Sequence, residues 1–150
     1  MTEKQEAAGK AAIGAFCLLS YGYTMNFMAL SAIFPVVVAE KDISEKYAVI
    51  IVGLPIAISS LASPLLNWYI PKVGPESTIF QANIGEVLSF AALTGIMIIN
   101  QEKAFVSASF LAVLAASFFY IVIMVGESYM MLHYSKKEDR EFNFGLIKRW

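Results

Sequence analysis

The signal that most constrains this chain is a run without charge. Residues 47–71, YAVIIVGLPIAISSLASPLLNWYIP, hold 25 positions in a row with no Asp, Glu, Lys or Arg. A helix needs about 20 apolar residues to cross a hydrocarbon layer about 30 Å thick. A helix at the edge of a soluble core has one apolar stripe and one polar face, and has no reason to be uncharged all round for so long. The run stops at PKVGPES, a stiff connection of mixed charge.

The rest of the chain repeats this theme. Of 150 residues, 58% are hydrophobic and 15% charged, against about 25% charged in an average soluble domain. Mean hydropathy is +0.64. These values specify an integral membrane protein built of helices, with the lipid bilayer as its first partner. A net charge of −1 gives no basic field, so nucleic acid is not a partner. One Cys and one His leave no internal disulfide framework and no His-based metal cluster. No phosphate loop, nucleophile–base pair or metal spacing occurs, so the reading is of a non-enzyme without cofactors.

In order, the chain reads as a polar arm and four spans at about 11–39, 47–70, 78–99 and 104–132, followed by a polar tail at 135–150. The first span carries Pro35 near its end, where a bend of the last turn is expected. The arm, second loop and tail hold eight Lys and Arg residues, and the first and third loops hold three. The positive-inside rule then places both termini on the cytoplasmic or matrix-equivalent side.

Three stretches carry a resemblance. LASPLLNWYIPKVGPES resembles the second helix and following loop of major facilitator superfamily transporters, whose loop motif is roughly G-x-L-x-D-R/K-x-G-R/K-R/K. Ala62, Ser63, Pro64, Leu65 and Leu66 match the lead-in. Asn67 stands at the first Gly and Pro71 at the Asp. Lys72 and Gly74 match, and Pro75 and Glu76 replace the two basic residues. Upstream, FPVVVAEKDIS is similar to the first-helix exit of the drug/proton and vesicular-amine-like branch. The tail, YSKKEDREFNFGLIKRW, resembles the family's link from the fourth to the fifth helix. The resemblance implies an all-α bundle of four membrane helices, like the start of the family's N-terminal half. The family usually places an Arg early in the fourth helix, whereas FLAVLAASFF at 110–119 carries no charge.

Polar residues inside the spans are the candidate sites. Glu86 lies near the middle of the third span, where a carboxylate costs at least about 2.5 kcal/mol and is a functional candidate by default. Asn83, Glu86 and Ser89 share a face at i, i+3 and i+6. A proton or cation site is one reading; a buried neutral acid bonded to a neighbouring helix is the other. Ser109, Ala116, Tyr120 and Glu127 recur on one face of the fourth helix, with Glu127 read as a solvated or interfacial carboxylate and His133 as an interfacial anchor. The first helix shows Ser20, Tyr23, Thr24, Phe27 and Ser31 together, with Asn26 beside them. The resemblance implies a substrate cavity on this face. The second helix carries Gly53, Ser60, Ser63 and Asn67, a small-residue face suited to interhelical packing.

Two functions follow. The chain is an accessory or structural subunit, derived from a transporter, within a larger membrane complex, with other membrane subunits as partners. Alternatively, it is the N-terminal part of a transporter for a small organic or cationic solute, completed by the missing helices. The departures from the loop motif and the absence of the Arg favour the first. A mitochondrial inner membrane suits the complex-subunit reading.

Overall fold

The computed structural model describes residues 3–134, and side chains from residue 11 onward apart from those at 12, 13, 16, 17, 19, 20, 23, 27, 133 and 134. The expected tail at 135–150 lies outside the described residues, as do the side chains of Cys17, Ser20, Tyr23, Phe27 and His133. Everything regular that is described is helix: α1 (Glu3–Glu40), α2 (Lys46–Ser60), α3 (Ser63–Val73), α4 (Pro75–Ile96) and α5 (Glu102–Tyr134).

Helix α1 continues through Pro35 and stops in a Schellman turn. Asp42 takes φ 53°, a left-handed conformation that Asp tolerates. The Ile43 amide donates to Val38 O at 3.0 Å and the Asp42 amide to Ala39 O at 3.1 Å. Val38 and Ile43 are both buried in one core, completing the hydrophobic contact of this cap.

The expected second span is not one helix. Helices α2 and α3 are bent by 58° across Leu61 and Ala62. Pro64 causes the break. Its ring would press on the carbonyl of Ser60, four residues earlier, and it has no N–H to bond there. The chain closes the gap with tighter bonds, Leu61 N to Ile58 O and Ala62 N to Ser59 O, at 3.1 and 3.0 Å. The buried face of α2 is Ala48, Ile51, Pro55 and Ser59. This corrects the expected packing face, since Gly53 has open space around it and Ser60 is exposed.

The second loop is also shorter than the expected 71–77. Pro71, Lys72 and Val73 complete α3, and Pro75 opens α4. Only Gly74 lies between, at φ 101°, a conformation that L side chains rarely adopt. Pro71 sits inside α3 and cannot donate to Asn67 O. The Tyr129 hydroxyl donates to that carbonyl instead, at 2.8 Å.

Two helices, α4 and α5, are each long and apolar enough to cross a membrane. The bent α2–α3 pair passes only when both halves are counted as a single span, and of α1 only the piece Thr24–Glu40 counts as apolar helix among the described residues, which is shorter than a crossing. Four spanning helices are thereby corrected to two, or three with the bent pair, among the described residues. A charge-free run measures composition, and Pro64 interrupts the helix without adding charge.

The most extensive contact is between α4 and α5. They run antiparallel and interlock reciprocally. A methyl built on Gly85 would collide with the Phe119 ring, and one on Gly126 would lie 2.6 Å from Ile79 Cγ1. Lys41 Nζ donates to Ile99 O at 2.8 Å and lies 5.1 Å from the Phe105 ring centre. This joins the first and third loops at one end. One apolar core, around Phe34, Ile51, Leu93, Phe105 and Val113, fills that end. A second, built on Leu66, Ile70, Ala82, Val122 and Ile123, fills the other.

Candidate functional site

Between the two cores the buried side chains turn polar. Glu86 and Ser89 enter from α4, Ser117 from α5 and Ser59 from α2, all buried. The layer follows from the helical register: the inward face of α4 is Thr78, Ile79, Ala82, Glu86, Ser89 and Leu93, so an apolar stripe is interrupted twice at mid-length. Ser89 Oγ donates back to Gly85 O at 2.8 Å, within its own helix. Ser59 Oγ reaches Leu114 O of α5 at 3.4 Å, a long contact.

Glu86 is only 3% exposed, and its Oε1 has no hydrogen-bond partner. The spans supply no Lys or Arg to neutralise it. A buried polar group left unmade costs about 1–3 kcal/mol. Ser117, 1% exposed, also has a hydroxyl without a partner. It borders an open cleft of about 270 Å³ lined by Thr24, Met28, Ser31, Ile56, Ser117 and Tyr120. Thr24 and Tyr120 share a side-chain hydrogen bond across this cleft, and both Glu86 and Glu127 lie within electrostatic reach of Tyr120.

Of the residues singled out in the sequence, Glu86 and Thr24 are brought to this common neighbour. Asn83 is half-buried on the flank of α4, and its amide donates to Ile79 O at 2.8 Å. Asn26 is exposed and borders a different cleft, of about 250 Å³, with Phe34, Phe90 and Leu93. The side chain of Tyr23 is outside the described residues. Among the loop residues, Asn67 is exposed on α3 and accepts from Tyr129. Lys72 covers the Trp68 ring with Nζ 3.3 Å from its centre.

Glu127 corrects its sequence reading. It is 1% exposed and so is not solvated. The neighbouring Gly126 lets α5 close onto Ile79 in the first turns of α4. Ser117 was not singled out by sequence; the signal available was its spacing of three from Tyr120. Among the described residues no group of three or more His, Cys, Asp and Glu could hold a metal ion. The layer can polarise, bind or hold a proton; it contains no nucleophile paired with a base. The chain matches no protein-family profile, no curated protein and no solved structure.

Proposed function

We propose that this chain is an integral membrane protein, derived from a major-facilitator-like transporter, that serves as a non-catalytic accessory subunit of a larger membrane complex. The observation that carries this reading is the open side of the cleft. Polar groups from α1 and α5 line an opening that, facing lipid, would expose them to hydrocarbon at a free-energy cost. Another membrane chain covering it removes that cost. The outward surface of α2 suits such a neighbour: Leu54 and Ile58 are exposed. On this reading both termini lie on the cytoplasmic or matrix-equivalent side, and the complex belongs to a membrane such as the mitochondrial inner membrane.

Gentle detergent extraction from native membranes tests the proposal. The chain should migrate with other membrane proteins, and cysteines placed at Thr24 or Ser31 should cross-link to one of them. Recovery of the chain from native membranes free of every other membrane protein, with no cross-link from either cysteine, would overturn it.

A second reading has an observation of its own. Glu86, with an unpartnered oxygen and within electrostatic reach of Tyr120, suits a coupling or cation site in the first half of a transporter for a small organic or cationic solute. Alternating access in that family rocks two halves about a midplane site, so the remaining helices would have to be supplied. Glu86→Gln that abolishes solute flux but leaves assembly intact would establish this reading over the first.

A further inference from the structure

We infer that the outward face of α3 is the protein's contact with the phospholipid headgroup layer, with Trp68 and Tyr69 at the headgroup–acyl boundary and Lys72 against lipid phosphate. The inference rests on the membrane reading above. Helix α3 has 11 residues, about 16 Å at 1.5 Å per residue, half of what a crossing needs. Its inward residues, Leu66 and Ile70, belong to the second core. Its outward residues are Leu65, Trp68, Tyr69, Lys72 and Val73, spaced i, i+3, i+4, i+7 and i+8, which is one helical face.

The chemistry of that face selects its surroundings. Trp68 is 64% exposed and Leu65 70%, too much apolar area for a face bathed in water. A Lys and a Tyr are equally unsuited to a face sunk in hydrocarbon. The middle of α4's outward face supplies the internal contrast: Ile84, Val87, Leu88 and Ala91 are exposed and carry no polar atom on their side chains, as hydrocarbon depth requires. Trp and Tyr with a flanking Lys are the side chains enriched where lipid meets water. Lys72 lies with its ammonium over the Trp68 ring, so its stem follows apolar surface while its charge stays at the helix end, as a snorkelling side chain does.

The backbone holds the face in place. The 58° bend turns α3 away from the line of α2. The Tyr129–Asn67 bond ties α3 to α5, and Gly74 alone connects it to α4. With inward residues locked in a core at one end and a one-residue hinge at the other, α3 cannot roll Trp68 inward.

The test uses depth-dependent fluorescence quenching. The 150-residue chain with Trp150→Phe, leaving Trp68 as the sole Trp, is reconstituted into phosphatidylcholine–phosphatidylglycerol vesicles. The lipids carry bromine either just below the headgroup or near the chain end. Loss of Trp68 emission should be largest with the shallow bromines. A companion protein with Val87→Trp, Trp68→Phe and Trp150→Phe should be quenched most by the deep ones. Lys72→Ala should reduce the preference of the Trp68 signal for anionic over zwitterionic vesicles by about fivefold, from roughly 1 kcal/mol per Lys near an anionic surface. Deep quenching of Trp68, or none while the Val87 reporter is quenched, overturns the inference and leaves the membrane reading standing; the second result would place a partner chain over α3. Failure of both reporters overturns the membrane reading as well.

Discussion

The α4–α5 pair and the α2–α3 segment are equally apolar to the eye and behave differently as solids. The first is two unbroken helices locked by glycines that each admit one side chain of the other: Phe119 over Gly85, Ile79 over Gly126. The second is one apolar run cut in two by Pro64, packed into the two cores through Ile51, Leu66 and Ile70 and tied to α5 by side-chain hydrogen bonds, Ser59 to Leu114 O and Tyr129 to Asn67 O. Hydrophobicity decides that both leave water. Backbone hydrogen bonding and the presence or absence of Cβ atoms decide which of them is straight and which is tightly paired.

The largest effect should come from removing the break. Pro in a helix interior costs about 3 kcal/mol, so Pro64→Ala restores the missing donor for Ser60 O and lets α2 run into α3. With Cys17 replaced, spin labels at Val49 and Val73 should move apart toward about 36 Å, the length of a straight helix at 1.5 Å per residue. An unchanged distance would mean that packing of Leu66 and Ile70, and not Pro64, sets the bend. Next comes the interlocked pair. Gly126→Val should destabilise by roughly 1–3 kcal/mol through overpacking, read as a lower melting temperature in detergent. Gly85→Val should fall in the same range and be partly rescued by Phe119→Ala, because the ring is what it strikes. Equal rescue of both by Phe119→Ala would contradict the reciprocal geometry.

Smaller effects probe the polar joints. Glu86→Met removes a buried oxygen that has no partner, at similar volume. It should raise the stability of the isolated chain by roughly 1–2 kcal/mol, the range for relieving an unmade hydrogen bond. A loss of stability would reveal a donor that Glu86 depends on. Tyr129→Phe should be the mildest, a loss of about 1 kcal/mol. It should be accompanied by faster hydrogen exchange confined to α3, since only the Asn67 carbonyl loses its donor.

The sequence shows the membrane-like character directly, because composition and uncharged length are one-dimensional properties. Turns were legible where Gly and Pro cluster, as at Gly74 and Pro75, or where charges do, as at residues 40–46. The bend was not legible as a bend: Pro64 sits among Ala, Ser and Leu, and counting charges passes over it. Glu127 was misplaced for a related reason. Distance from a helix end predicts exposure only when the neighbouring helix stops earlier, and here α4 begins beside the adjoining Gly126. Gly85 and Gly126 look like scattered glycines in the chain. Their meaning lies in residues 34 and 47 positions away, a pairing set by antiparallel register and invisible within either helix.

The hydrogen bond from Lys41 to Ile99 O has a consequence for the order in which a ribosome can complete this molecule. Lys41 emerges first, and its acceptor follows 58 residues later. Until the turn between α4 and α5 has been made, the loop after α1 has no carbonyl to seize and Phe34 has no Phe105 ring beside it. Helix α1 therefore waits for the part of its packing that α5 supplies, and a pause in translation before residue 99 should leave that face of α1 open to chaperones, proteases or the first partner it meets.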